Sequence, residues 1–286
     1  MAPPEASAAG PGALAADWLG LCRRVVEAQR RIFAEVRGID ARTVYDGVGE
    51  GGDHTLVIDR RCEDAVFEQL GALAREGHSF TAISEERGEV AFGDGGGLRV
   101  VIDPIDGSLN ARRHLPSFSL SFAVATGPSM ADVEFGYVFD FGAGEEFWAR
   151  RGGGAFIGEE PLRTRVSERG LVVVGLESAR PELAVPVLER LAGSVYRVRV
   201  VGSIAITVSY VAAGRLDGML SLRPCRSVDA AAAQLIAQEA GAAVSFGPRP
   251  AGQTGLGLDE RFPIAAAATT EGLATLRGAQ GAAGGK

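Results

Sequence analysis

The segment Asp103-Pro104-Ile105-Asp106-Gly107-Ser108 follows directly on the apolar run LRVVI. Two carboxylates at the end of a strand are hard oxygen donors that can share or bridge divalent cations. Pro104 stiffens the turn, and Gly107 permits a backbone angle that other residues avoid. If the chain then enters a helix, the amides of Gly107 and Ser108 face an incoming phosphate with the positive end of the helix dipole. Taken alone, the hexapeptide also reads as an Asx-rich turn closing on a helix cap. Two further acidic groups change the balance: Glu85-Glu86 ends the strand-like FTAIS, and Asp229 opens the helical run VDAAAAQLIAQEAG. Each of these alone would be a solvated loop or an N-cap. Together they form a candidate carboxylate set for a metal ion, and with only three histidines in the chain the ion is expected to be oxygen-bound, magnesium rather than zinc.

These residues need a frame. Apolar residues at helical spacing mark amphipathic helices over Leu14 to Val36 and Asp59 to Arg75. Between them DGVGEGGDHT is too rich in Gly and Asp for either regular element. From Phe80 the pattern turns to short strand-like runs (FTAIS, LRVVID, FSLSFAVA, VEFGYVF, EEFWAR, AFI), which predict a largely antiparallel sheet. After about Ser167, strands alternate with helices near Leu183 to Leu191, Ile204 to Ala213 and Val228 to Gly241. The expected organisation is an N-terminal α+β half over 13–167 carrying the acidic motifs and a C-terminal α/β half over 168–277. Small Gly/Ala/Pro-rich tails at 1–12 and 278–286 are expected to be disordered or flexible. The halves should share one extended core.

With 286 residues, 46% of them hydrophobic, the chain can bury a full core. Three cysteines without a CxxC pair argue against a disulfide framework or structural zinc. A net charge of -7 with no basic stripe disfavours nucleic acid as a partner. The N-terminal residues lack the pattern of a secretory leader, and no apolar run approaches about 18 residues. A soluble cytoplasmic protein is expected, with no membrane partner. Gly47, Gly49 and Gly52 spell GxGxxG, but without a preceding apolar strand they do not predict a dinucleotide site. His114, following the acidic motif, reads as a surface loop histidine.

Read together, Glu85-Glu86, DPIDGS and an Asp leading an Ala-rich helix that ends in Glu239-Ala240-Gly241 resemble the inositol monophosphatase superfamily. The likeness runs from about Gly47 to Gly241, and DGVGEGGDHTLVID, ISEERG and DPIDGSLNA look most like its archaeal-type branch, in which inositol phosphatase and fructose-1,6-bisphosphatase activities often coexist. The resemblance implies a layered αβαβα sandwich of the inositol monophosphatase / fructose-1,6-bisphosphatase type. It implies a metal-dependent phosphatase with two or three Mg2+ ions, replaceable by Mn2+, and usually a homodimer. By resemblance, Glu85, Asp103 and the Ile105 carbonyl hold a first ion, Asp103, Asp106 and Asp229 a second, and Glu85 alone a third, looser one. Asp59 pairs with the Ser108 hydroxyl to activate a water, and Glu63 could orient the same network. The chain departs from the family pattern at Ser108, where threonine is usual, at Val228, where tryptophan often stands, and at Val48, near the place of a lysine.

The expected substrate is a small-molecule phosphate ester, first an inositol monophosphate or close analogue. Fructose 1,6-bisphosphate, a nucleotide 3'-phosphate or a specialised pathway substrate are the alternatives, and a metabolite-binding protein that kept the fold is the non-enzymatic one. The glutamate that touches the inositol ring in the resembled enzymes is missing from Leu222-Arg223-Pro224-Cys225-Arg226-Ser227. Arg223 and Arg226, with Arg197 and Arg199 just before Gly202-Ser203, are candidates for a second anionic group on the substrate.

Overall fold

The computed structural model describes residues 16–36, 45–48 and 54–281. The expected N-terminal tail and residues 49–53 of the Gly/Asp-rich stretch lie outside them. Helix α1 (Trp18–Glu35) starts where the Asp17 carboxylate accepts the Gly20 amide at 2.9 Å. Strands β1 (Tyr45–Val48) and β2 (His54–Leu56) pair antiparallel. This corrects the expectation of no regular element there: residues 45–48 and 54–56 are paired strands. Helix α2 (Val57–Arg75) follows at once.

Strands β3 (Phe80–Ser84), β4 (Gly88–Phe92), β5 (Arg99–Asp106), β6 (Ser119–Ala125), β7 (Val133–Asp140), β8 (Glu145–Arg150), β9 (Gly154–Ile157) and β10 (Glu160–Leu162) form one sheet. Its order is β10-β9-β8-β7-β6-β5-β3-β4, antiparallel throughout except that β3 runs parallel to β5. A short helix α3 (Ser108–Arg113) sits between β5 and β6. The second sheet, in order β12-β11-β13-β15-β14, is built from β11 (Leu171–Glu177), β12 (Val195–Arg199), β13 (Gly218–Ser221), β14 (Ala243–Ser245) and β15 (Ala265–Ala267). Its helices are α4 (Pro181–Leu191), α5 (Ile204–Ala212), α6 (Ser227–Ala240) and α7 (Thr270–Gln280).

The layers follow from which helix faces are apolar. Helices α1 and α2 cover one face of the large sheet, where Trp18 packs on Phe80 and Phe122. Helices α5 and α6 lie between the two sheets, and α4 and α7 close the far face of the second. A helix between two sheets must be apolar all round, which accounts for the buried run Ala230–Ala233 in α6. Small residues also let the layers close up: a Cβ on Gly136 of β7 would stand 2.5 Å from the Ala232 carbonyl oxygen. This is the αβαβα sandwich expected. Helix α7 was not foreseen and corrects the start of the C-terminal tail at 278, because Ala279 is buried and Gln280 donates to the Ser221 and Ile264 carbonyls at 2.8 and 3.0 Å. No helix among the described residues is long and apolar enough to cross a membrane.

Candidate active site

Asp103 and Asp106 both belong to β5, where residues three apart ordinarily point to opposite faces. The pairing with β6 removes that separation. Asp103 lies opposite Ser121 and Asp106 opposite Ser119, so three steps on β5 match two on β6 and the strand bulges at Pro104-Ile105. Both carboxylates reach one side, where Asp229 meets them: carboxylate oxygens of the three residues lie within 4.8 Å of one another. The bulge is held by the Ile105 amide, which donates to Asp103 Oδ1 at 2.9 Å, and by buried Gln29 of α1, whose Nε2 donates to the Pro104 carbonyl at 3.1 Å.

Asp106 is fixed from the opposite half. Its Oδ2 accepts the Ser203 hydroxyl at 2.6 Å and the Ala205 amide at 2.7 Å, which sets the carboxylate on the positive end of α5. Behind that contact, buried Glu177 at the end of β11 accepts the Val201 and Gly202 amides and the Thr207 hydroxyl. Asp229 sits in the first turn of α6, and its Oδ2 accepts the Arg226 amide at 3.0 Å. Glu85 follows β3, and because Ser84 is in parallel register with Ile102, the next position along brings Glu85 beside Asp103. The turn that carries it is anchored by Glu63, which is buried, accepts the Ser84 hydroxyl and the Arg87 amide, and pairs with the Arg87 guanidinium. Glu63 thus supports the Glu85 turn.

Electrostatics mark the cluster. Burial, then the charges of Glu85, Asp106 and Asp229, push the Asp103 carboxyl well above the ordinary range. Asp106 and Asp229 are each pushed up to about 7, in both cases chiefly by burial, with Asp106 and Glu85 adding to the rise at Asp229. Burial also lifts Glu177 to about 7, opposed by its three hydrogen bonds. Like charges gathered out of water are costly unless a cation joins them.

Gly107, with φ of 89°, caps α3; a Cβ there would stand 2.9 Å from the Ser117 carbonyl and 3.0 Å from that of Gly202. Ser108 is the first residue of α3. Asp59 lies in the first turn of α2, whose neighbouring Ile58 and Cys62 share one apolar cluster with Ile105 and with Ala111 of α3. The start of α2 is thereby packed against the end of β5 and against α3.

The remaining sequence candidates divide. Ser203 is buried and committed to Asp106 and to the Ile206 amide, so it positions a carboxylate instead of lining an open face. Gly202, with φ of 87°, is packed against the Asn110 amide group. Arg197 and Arg199 are exposed on β12, the edge of the second sheet; Arg197 stacks on Tyr196 and Arg199 donates to the Val198 carbonyl. Arg223 lines a separate pocket of about 570 Å³ with Leu222, Pro224 and Arg277, and none of the carboxylates lines it. Of the four arginines only Arg226 reaches the cluster, where its guanidinium pairs with Glu85. His114 is exposed, as expected of a loop histidine. Ser203, Glu177 and Gln29 were missed as supports; a serine before the helical run at Ile204 signalled a cap, but nothing local signalled its partner.

A five-layered αβ sandwich brings three aspartates together at a strand end and a helix start, where they could hold a metal ion. Comparison with known sequences agrees: the profile of the inositol monophosphatase family matches residues 19–280. The chain belongs to the inositol monophosphatase family and is a phosphoric monoester hydrolase. It is 33% identical over 244 residues to a fructose-1,6-bisphosphatase/inositol-1-monophosphatase of Methanothermobacter thermautotrophicus, covering 80% of this chain and 84% of that one. It is 34% identical over 201 residues to an inositol-1-monophosphatase of Mesorhizobium japonicum, covering 68% and 72%. Among solved structures, an inositol monophosphatase-fructose 1,6-bisphosphatase superposes with a TM-score of 0.80 at 26% identity, over 92% of this chain and all of that one.

Proposed function

We propose that this phosphatase is magnesium-dependent and acts on an inositol monophosphate or a close analogue, with fructose 1,6-bisphosphate as the nearest alternative. The observation that carries the reading is the convergence of Asp103, Asp106 and Asp229 carboxylate oxygens within 4.8 Å, with Glu85 alongside. The donor set fits the ion: it is all oxygen, the choice of a hard cation, and Mn2+ is the expected substitute. Asp103, Asp106, Asp229, Glu85 and the Ile105 carbonyl would hold the metal. A magnesium ion held there would supply charge neutralisation of the ester, a more acidic attacking water and stabilisation of the leaving oxygen.

The chain's own groups supply the rest. Ser108 and Asp59 orient that water, the hydroxyl accepting or relaying its proton toward the carboxylate. The amides of Gly107 and Ser108 face the phosphate oxygens at the start of α3. Water attacks phosphorus directly and no side chain becomes phosphorylated, so configuration at phosphorus inverts. Ser203 and Glu177 keep Asp106 from turning away, and Glu63 does the same for the Glu85 turn.

The test is a phosphate-release screen over inositol phosphates, sugar bisphosphates and nucleotide 3'-phosphates, with and without magnesium. Turnover is expected to be highest on an inositol monophosphate, to vanish in excess chelator and to return with magnesium. Full activity in chelator sinks the metal reading. A sugar bisphosphate or nucleotide turned over faster than every inositol phosphate sinks the substrate reading alone.

A further inference from the structure

Arg226 places its guanidinium against Glu85, and the two side chains retain only 16% and 22% of their exposure. They are 141 positions apart, one before α6 and the other after β3, so the pair is a product of the fold. Its location is what matters. Arg226 is tied through its backbone amide to Asp229, which launches the side chain from a fixed point beside the carboxylates. Glu85 also acts electrostatically on both Asp103 and Asp229. The guanidinium therefore stands at the edge of the carboxylate cluster, paired with the one member that lies in a turn instead of ending a strand or opening a helix.

We propose that Arg226 is a built-in counter-ion that competes with a divalent cation for Glu85. The inference rests on the carboxylate set being a metal site, as proposed above. A guanidinium engages a carboxylate through several fixed N–H donors and is never deprotonated, so its competition for the carboxylate persists at every pH. An ion that draws on Glu85 must break this pair first, whereas one held by Asp103, Asp106 and Asp229 meets no such competitor. The pair therefore weakens whichever ions draw on Glu85 and leaves an ion held by the three aspartates largely unaffected. The same contact offsets part of the carboxylates' repulsion while metal is scarce.

The experiment titrates the full chain, stripped of metal, with Mn2+ and reads free ion by electron paramagnetic resonance, in the wild type, Arg226→Ala and Arg226→Lys. Both substitutions keep the backbone amide that caps Asp229. Arg226→Ala is expected to tighten Mn2+ binding that draws on Glu85 about 10-fold, or about 1.4 kcal/mol. Arg226→Lys, which keeps the charge but not the fork, is expected between the two. The metal-free Arg226→Ala protein should melt below the wild type and gain more on adding Mn2+. Superimposable isotherms for wild type and Arg226→Ala overturn the proposal. Should Arg226→Ala not fold without metal, Glu85→Gln and Glu85→Gln/Arg226→Lys serve instead: with no acid to compete for, they should bind Mn2+ alike, and a difference between them counts equally against it. A wild type that takes up no Mn2+ overturns the metal reading itself, an outcome distinct from unchanged isotherms.

Discussion

Asp103→Asn is expected to lower phosphate release by roughly 1,000-fold or more while leaving the chain folded. Asp103 is the carboxylate that Glu85, Asp106 and Asp229 all act upon, and it is proposed to be shared between two ions. Losing several kcal/mol of charge stabilisation at about 1.36 kcal/mol per factor of ten gives a loss of this order. Stability in excess chelator moves the other way. The carboxyls of Asp103, Asp106 and Asp229 all bind protons more tightly in the folded chain than at the ordinary value of 3.8, the latter two at about 7. Groups raised in this way favour the fold fully below that ordinary value, and the advantage disappears as pH rises through about 7. Metal-free wild type should therefore lose stability between about pH 4 and 7, and Asp103→Asn should lose less. Melting temperatures in chelator across that window, paired with phosphate release in magnesium, measure both effects. An Asp103→Asn protein that melts lower than wild type at the top of the window shows that the aspartates do not repel one another as described.

Ser108→Ala is expected to cut turnover on the order of 100-fold, the usual size of a lost contribution to proton transfer. Asp59→Asn should do the same, and the double variant should be scarcely worse than either, because the two groups act on one water. KM should change little in all three, since none of these groups is assigned to ground-state binding. Additive losses in the double variant, or a Ser108→Ala enzyme that turns over at the wild-type rate, would separate the two residues and leave Asp59 a helix-start acid only.

The parts of this site that could be read from sequence are those encoded within a few residues. DPIDGS announces its turn and its donors in one hexapeptide, and Asp229 announces itself by the helix behind it. That both aspartates of the hexapeptide face one way depends on the bulge at Pro104-Ile105, which is defined against Ser119 and Ser121 of a strand not yet reached. The arginines were less legible still. Arg197 and Arg199 looked well placed because Gly202-Ser203 follows closely, yet β12 is an edge strand and its alternation leaves both exposed. Arg226 differs from Arg223 by three positions, but the start of α6 aims one at Glu85 while the other lines a separate pocket. The run of helices and strands was legible from periodicity, while the layering came with the family resemblance; helix α7 was not legible, because its Gly and Ala content resembles the tail beyond it and its anchor, Gln280, bonds to carbonyls of two remote segments.

The support running from Glu177 through Gly202 and Ser203 to Asp106 crosses from one half of the chain to the other. Neither half owns a complete set of aspartates, since Asp103 and Asp106 come from the first and Asp229 from the second. Between the last strand of the first sheet at Leu162 and the first strand of the second at Leu171 lies a mostly exposed connection. A chain cut in that connection is expected to give two pieces with no competent site in either, phosphate release returning only when they dock with Ser203 back on Asp106. Catalysis in this protein is in that sense a complementation signal, and the same geometry would serve as a split reporter in which each turnover records that two fragments have met.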